Sequence, residues 1–268
     1  MADSLPQFHA PVALTIAGSD SGGNAGIQAD LLSFAANGVY GTSAITCLTA
    51  QNPQSISAVE PLTPSFVSEQ IKQVFDYFKP TAVKTGMLWS APIIETIAEY
   101  LAQHPNTRIV VDPVMVSTSG QNLLSNEAVS KTKSLLLPLA DIITPNLDEA
   151  AALLDRPIET IEHMHDAALE LSRSCKTTIL LKGGHMLGDQ LVDILVTPSG
   201  DIQKFTQTRI KSIDTHGSGC TLSAAIAAWL AKGSSIQEAV KQGRAYLRSG
   251  MENPVNLASK RFINHFPQ

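Results

Sequence analysis

Apolar positions fall into two alternating rhythms along the chain. Short runs rich in β-branched and aliphatic residues recur as "VALTIAG" (12–18), "SAITCLTA" (43–50), "TAVKTG" (81–86), "RIVVD" (108–112), "DIITP" (141–145) and "TTILLKGG" (177–184). Several lack apolar–polar alternation, the pattern of strands buried on both faces of a parallel sheet. Between them lie amphipathic helical stretches: "NAGIQADLLSFAANG", "PSFVSEQIKQVFDYF", "APIIETIAEYLAQH", "NEAVSKTKSLLLPL", "LDEAAALL" and "TIEHMHDAALELSRS". The repeated strand–helix order predicts right-handed βαβ crossovers and a layered α/β fold. After Lys182 the rhythm changes. "QLVDILVTPSGDIQKFTQTRI" reads as an antiparallel hairpin turning at Pro198–Asp201, at one end of the sheet, and two helices, "GCTLSAAIAAWLAKG" and "SIQEAVKQGRAYLRSG", follow.

No Pro/Gly/Ser linker, charge run or internal repeat divides residues 1–268, so one domain is expected, without a fused second enzyme. A net charge of −5 argues against a broad nucleic-acid or acidic-membrane surface, although local backbone amides could still hold a small anion. The start of the chain has no basic n-region, its apolar run is broken at Gly18 and Ser19, and no later stretch is long enough to span a bilayer. Cys47, Cys175 and Cys220 are odd in number and far apart, with no CxxC. Free thiols in a cytoplasmic protein are the simplest expectation.

Polar residues close several successive buried strands: Gly18-Ser19-Asp20, Gln51-Asn52, Lys84-Thr85-Gly86-Met87, Asp112-Pro113, Thr144-Pro145-Asn146 and Lys182-Gly183-Gly184. One such residue is a turn; a series of them marks a ligand site at the carboxyl ends of the strands. Several chemistries are excluded. There is no GxxxxGK[ST], because Asp189 stands where a P-loop needs Lys. "SGGNAG" (21–26) departs from the dinucleotide fingerprint, and "HGSGC" misses GxSxG because His216 occupies its first glycine position. His163 and His165, two apart, diverge on a helix and read as solvated residues.

Four elements remain, each with a plain structural alternative. The glycine-rich loop "AGSDSGGNAGIQAD" (17–30) could bring backbone amides to a ligand, with Asp20 and Asp30 close by, or could be a tight turn with Asp30 solvated. The loop Asp214–Gly219 before a helix starting near Cys220 suits a phosphate or developing anion, or is a capped helix. In "TPNLDEA" (144–150), Asn146 and Glu149 share a helix face and suit Mg²⁺, or form a capping box. Lys182 closes a buried strand and either meets a phosphate or snorkels outward. In combination they describe a kinase that uses anion-binding backbone instead of a P-loop.

The motifs "TIAGSDSGGNAGIQAD", "TAQN", "KTGML", "VDPVM", "ITPNLDEAAALL", "LKGGH" and "THGSGCTLSAAIAA", running from residue 15 to residue 227, resemble the ribokinase-like superfamily. Within it they are most similar to the hydroxymethylpyrimidine/phosphomethylpyrimidine kinases of thiamine biosynthesis. The resemblance implies a three-layer α/β/α fold with a mostly parallel central sheet. It implies ATP-dependent phosphorylation of 4-amino-5-hydroxymethyl-2-methylpyrimidine, then of its monophosphate, with Mg²⁺, by a homodimer. On that resemblance Gly18, Asp30, Gln51 and Met87 would line the pyrimidine pocket, and Lys182 and Asn146 would serve ATP. Asp112 and Glu149, with Asn146, would organise Mg²⁺, and Gly217, Ser218, Gly219 and Cys220 would form the anion hole.

Sugar kinases of the superfamily carry a catalytic Asp where Cys220 stands, whereas Cys is usual in the pyrimidine kinases. Cys220 is therefore expected to act as an amide donor and weak base, without a covalent intermediate. Asn24 and Ser218 depart from the usual Gly and Thr, and the tail "ENPVNLASKRF" is poor in glycine, leaving the nucleotide pocket's far wall undefined. A pyridoxal-type kinase is the nearest alternative, since its substrate is also a flat ring bearing a hydroxymethyl group. A non-catalytic pyrimidine- or nucleotide-binding protein and a cysteine-nucleophile hydrolase are weaker ones. For the hydrolase, His216 is the sole candidate base set by motif, and a glycine loop separates it from Cys220.

Overall fold

The computed structural model describes residues 10–115, 124–184 and 188–267. The first nine residues and His185, which ends the "LKGGH" motif, lie outside the described residues. The strands of the central sheet are β1 (Val12–Asp20), β2 (Tyr40–Asn52), β3 (Ser55–Pro61), β4 (Ala82–Thr85), β5 (Arg108–Val111), β6 (Ile142–Ile143), β7 (Thr178–Lys182), β8 (Gln190–Val196) and β9 (Ile202–Thr208). Among the described residues they form one nine-stranded sheet in the order β3-β2-β1-β4-β5-β6-β7-β8-β9. The six strands from β2 to β7 in that order run parallel. Both ends are antiparallel: β3 folds back on β2, and the β8–β9 hairpin extends the far edge.

Helices cover both faces: α1 (Gly26–Ala36), α2 (Pro64–Phe78), α3 (Ala91–Ala102), α4 (Asn126–Lys131), α5 (Leu147–Leu154), α6 (Ile161–Cys175), α7 (Ser218–Ala231) and α8 (Ile236–Glu252). The unbroken apolar strands explain the three layers. Leu14, Ile16, Ile109, Val111, Ile179 and Leu181 pack beneath α2 to α6, while Ala13, Val110 and Leu180 pack beneath α1, α7 and α8. Alternate residues serve opposite cores, so neither face can be polar. A short ribbon, β10 (Val255–Leu257) and β11 (Lys260–Phe262), follows α8.

Two elements differ from the hydrophobic pattern. The predicted helix over 126–139 breaks into α4, a π-helical turn (Thr132–Leu136) and a 3₁₀ turn (Leu137–Leu139). Pro138 cannot donate an i−4 bond and ends it. β3 carries no clear apolar signal because it is a largely exposed edge strand. Its tight connection to β2 is an Asx turn in which Asn52 Oδ1 accepts from the N–H groups of Gln54 and Ser55.

From β1 the chain goes first to β2 on one side and later to β4 on the other. This reversal splays the loops at the carboxyl end of β1 and opens a crevice there.

Candidate active site

Two adjoining cavities occupy that crevice. The larger, about 400 Å³, is lined by Asp112, Asn146, Glu149 and Lys182 from the ends of β5, β6 and β7, and by Gly217, Ser218, Gly219 and Cys220 at the start of α7. The smaller, about 90 Å³, is lined by Gly18, Gln51, Met87, Lys84 and His216. Cys220, Ala25 and Val114 border both. Residues expected to handle a nucleotide thus fall on one side of Cys220, and most of those expected to hold a ring fall on the other.

In the larger cavity Lys182 Nζ lies 3.1 Å from Asp112 Oδ1, with the Thr144 and Ser223 hydroxyls each 3.2 Å from that carboxylate. Burial would raise the pKa of Asp112, but Lys182 and Lys84 override it and hold the carboxyl below its ordinary value. Burial likewise opposes the charge of Lys182, yet Asp112 and Glu149 push its ammonium pKa upward. Glu149 goes the other way: burial lifts it to about 8, Lys182 only partly offsets this, and Asp112 adds repulsion. Asn146 and Glu149 form a full capping box. Asn146 Oδ1 accepts from Glu149 N–H at 2.9 Å, and Glu149 Oε2 accepts from Asn146 N–H at 2.8 Å. The structural and ligand-facing readings of this pair are compatible, because the cap aims both side chains at the cavity.

The start of α7 hangs on Gly217, whose φ of +82° belongs to the left-handed region. A Cβ there would collide with the Asn24 carbonyl, so the glycine brings the two loops into contact. The N–H of Ser218 turns back to the Thr215 carbonyl at 3.0 Å. The anion hole expected from four residues therefore loses that amide, since a turn precedes the helix. Gly219 and Cys220 occupy the rest of the first turn, where α-helical geometry supplies no i−4 carbonyl. Cys220 itself departs from expectation. Burial pushes its thiol up to about 11, Lys84 lowers it only partly, and Asp30 and Asp112 raise it further. With its pKa raised in this way, the thiol keeps its proton at neutral pH, which does not favour the weak-base role.

The first loop is organised around Asp20. Its Oδ1 accepts from Gly22 N–H at 2.8 Å, and its Oδ2 accepts from Ala25 and Asn24 N–H at 2.9 and 3.2 Å. These amides are committed to a carboxylate of the protein, so the loop reads as a turn in this respect. Asp30 is also displaced from the pocket wall where it was expected. It is fully buried beneath the small cavity, where Thr15 Oγ1 donates at 2.6 Å and Lys84 Nζ at 2.9 Å. The helix phase turns its side chain toward β1 and β4 rather than toward solvent. Lys84, not Asp30, reaches the cavity. Its signal in the sequence is a single charge inside a four-residue strand that is buried throughout.

The wall left undefined by the sequence is formed by Ile210, Ile213, Leu247 and Met251. β11 supports it: Asp214 N–H donates to the Arg261 carbonyl, and Lys260 pairs with Asp214 at 2.9 Å. Among the described residues no group of three His, Cys, Asp or Glu side chains is close enough to hold a metal ion. No helix of the described residues is long and apolar enough to cross a membrane.

A doubly covered sheet with a polar crevice at its switch point, parted by a helix start, defines a small-molecule kinase of ribokinase-like fold. The solved structures similar to it agree. A phosphomethylpyrimidine kinase of Clostridium difficile 630 is 43% identical, with a TM-score of 0.79 over 88% of this chain and 97% of that one. A Bacillus subtilis pyridoxal kinase, solved as an ADP complex, is 33% identical, with a TM-score of 0.89 over 97% of this chain and 98% of that one. The phosphomethylpyrimidine kinase family model matches residues 20–264, and the chain belongs to this family. The hydroxymethylpyrimidine/phosphomethylpyrimidine kinase of B. subtilis is 41% identical over 255 residues, 95% of this chain and 94% of that protein. A bifunctional thiamine biosynthesis protein of Geobacter sulfurreducens is 44% identical over 238 residues, 89% of this chain. The chain spans only 48% of that longer relative.

Proposed function

We propose that this chain transfers the γ-phosphoryl group of ATP to the hydroxymethyl group of 4-amino-5-hydroxymethyl-2-methylpyrimidine, and then a second to the resulting monophosphate. The observation that carries this reading is the position of Cys220 and the α7 start, bordering both the larger cavity with Lys182 and the smaller one with Gln51. A nucleotide on one side and a flat ring on the other would meet at that border, which is the geometry of an in-line transfer.

Lys182 would hold the transferring phosphates, and the amides of Gly219 and Cys220 would face the charge that develops on the moving group. The bond between the γ-phosphorus and the ADP oxygen breaks as the bond to the acceptor oxygen forms. Phosphoryl transfer with a loose transition state needs little base, which accommodates a protonated Cys220. The alcohol proton is shed late, to a phosphoryl oxygen or water. In the second step the acceptor is already an anion. Gly18, Met87 and the Gln51 carboxamide would hold the ring; Asp30 acts from below, through Lys84.

The donor set fits Mg²⁺. Asp112 and Glu149 are oxygen ligands in one cavity; burial first, then repulsion from Asp112, raises Glu149 to about 8, and a cation there would favour its charged form. With only two carboxylates, phosphate oxygens and waters would complete the shell. Bound there, Mg²⁺ would neutralise charge on the phosphates.

Pyridoxal phosphorylation is a second reading, favoured by the higher TM-score to the pyridoxal kinase, 0.89 against 0.79. A coupled ADP assay with hydroxymethylpyrimidine, its monophosphate and pyridoxal separates the readings. Turnover of the first two supports the proposal, and turnover of pyridoxal alone overturns it. The reading also includes a single cooperative domain, a homodimer and a cytoplasmic setting. A lone unfolding transition, sedimentation equilibrium and cell fractionation test them in turn.

A further inference from the structure

At the mouth of the smaller cavity the Gln51 side-chain Nε2 lies 3.0 Å from Nε2 of His216, a residue 165 positions away in the chain. We infer that His216 is a specificity-determining residue, whose Nε2 sets which way round the Gln51 carboxamide faces the acceptor ring. This deepens the proposed function and rests on it.

A carboxamide is chemically two-ended, with an acceptor oxygen and a donor nitrogen. An aminopyrimidine edge is two-ended as well, offering a ring nitrogen that accepts and an exocyclic amine that donates. The two match in one orientation only. Turned end for end, the amide sets lone pair against lone pair and hydrogen against hydrogen. Something must therefore fix the amide before the ring arrives.

Thr49 does not fix it. Its Oγ1 lies 3.1 Å from Gln51 Oε1 and 2.9 Å from the Ser19 carbonyl oxygen. With one proton and two lone pairs, that hydroxyl can donate to the Gln51 oxygen. It can equally donate to Ser19 and accept from a reversed amide. With the ring proton on Nδ1, His216 Nε2 discriminates between the two, because a bare imidazole nitrogen only accepts. It accepts a hydrogen bond from the Gln51 NH₂ group and repels the Gln51 oxygen. One competing partner of Nε2 is Asp20 Oδ2, farther away at 3.4 Å and already receiving the N–H groups of Asn24 and Ala25. The residue is anchored through its backbone N–H, which donates to Asp214 Oδ1 at 3.0 Å, and its side chain is only 14% exposed.

Two acceptor rings should respond differently. The aminopyrimidine needs the fixed orientation. A pyridine ring carrying a hydroxyl beside its substituents can donate or accept at that hydroxyl, and so tolerates either direction.

The test compares wild type with His216→Leu, which keeps bulk and removes the acceptor. The expected result is a KM for hydroxymethylpyrimidine raised about tenfold, the value of one lost hydrogen bond, while KM for pyridoxal and for ATP stay within about threefold. In a Gln51→Ala background the same substitution should have no further effect on the pyrimidine KM. Equal losses for both rings, a fall in kcat alone, or additivity with Gln51→Ala would overturn the inference. A second measurement needs no substrate and no variant at 216. In ¹⁵N-labelled enzyme, at a pH where the imidazole is neutral, His216 Nε2 should resonate as an unprotonated nitrogen and shift in Gln51→Ala. A protonated Nε2 sinks the inference. If wild type turns over neither alcohol but the nitrogen signals behave as expected, the proposed substrate is wrong and the His216–Gln51 lock stands.

Discussion

Lys84 Nζ and Asp30 Oδ2 lie 2.9 Å apart with both side chains at zero exposure, an ion pair sealed beneath the small cavity. The pair joins β4 to α1 across β1, where the sheet changes direction, and Thr15 adds a third member. Burial works against the charge on Lys84, but Asp30, then Cys220 and Asp112, raise its pKa. A permanent cation therefore sits under the border that Cys220 shares between the two cavities.

Removing one partner should be far worse than removing both. Asp30→Asn or Lys84→Met leaves an uncompensated buried charge and should lower unfolding stability by roughly 3–5 kcal/mol. The double variant Asp30→Leu/Lys84→Met should recover most of that loss, while turnover stays depressed because the cation is gone. Urea midpoints of the three variants check this. Additive losses in the double variant would show that the two groups act independently.

The Cys220 thiol, lifted to about 11, predicts slow alkylation. Only the thiolate reacts, so below that value each pH unit should speed iodoacetamide labelling of Cys220 about tenfold, with no plateau near neutrality. Site-resolved mass spectrometry from pH 7 to 10 measures it, at about those limits. A plateau below about pH 8 would restore the thiolate and the base role with it. Correspondingly, Cys220→Ala keeps the backbone amide and should retain most of the second-step activity.

Burial on both sheet faces made the strands and helices legible, because continuous apolar runs have few alternatives. β3 was silent, since an exposed edge strand needs no apolar face. The strand-end residues Gln51, Asp112, Asn146 and Lys182 were legible as a site because a parallel sheet gathers its carboxyl ends. Direction was not. Asp30 looked solvated or pocket-facing, and only the packing of α1 on β1 turns it inward. The same holds for Asp193, one charge in "LVDILV", which is buried and reaches Arg244 at 3.2 Å and the Gly183 N–H at 3.1 Å. Partnerships between residues so distant in sequence leave no local pattern.

Asp20 orders the first loop as a carboxylate. Burial would raise its pKa, but a hydrogen bond from His216 in its charged form, and the N–H groups of Gly22 and Ala25, hold it below the ordinary value. A depressed folded value means stability that is present above the unfolded value of about 4 and lost as pH falls through the folded one. Asp20→Asn replaces an acceptor with a donor facing backbone donors and should cost about 1–3 kcal/mol at neutral pH. The gap between wild type and variant should then narrow steadily once pH drops below about 4. Denaturant midpoints across that range test it, and a gap independent of pH would mean that the ionised form is not what the loop requires.

Gly217 and Gly233 have nearly the same backbone angle, φ of +82° and +84°, in different surroundings. A Cβ on Gly217 would strike the Asn24 carbonyl, whereas one on Gly233 would meet nothing within 4 Å. Alanine at either position carries the left-handed penalty of about 1–2 kcal/mol. Gly233→Ala should show that loss of stability alone and keep full turnover, being remote from both cavities. Gly217→Ala must also push the first loop away from the start of α7, shifting the amides proposed to bind the phosphoryl group relative to the proposed ring pocket. Displacement of about 1 Å at a transfer site can cost about 100-fold in rate, so kcat should fall by that order. Thermal unfolding and steady-state kinetics on the pair separate the two effects. Equal kinetics for the two variants would mean that the contact between the loops does not position the reacting groups.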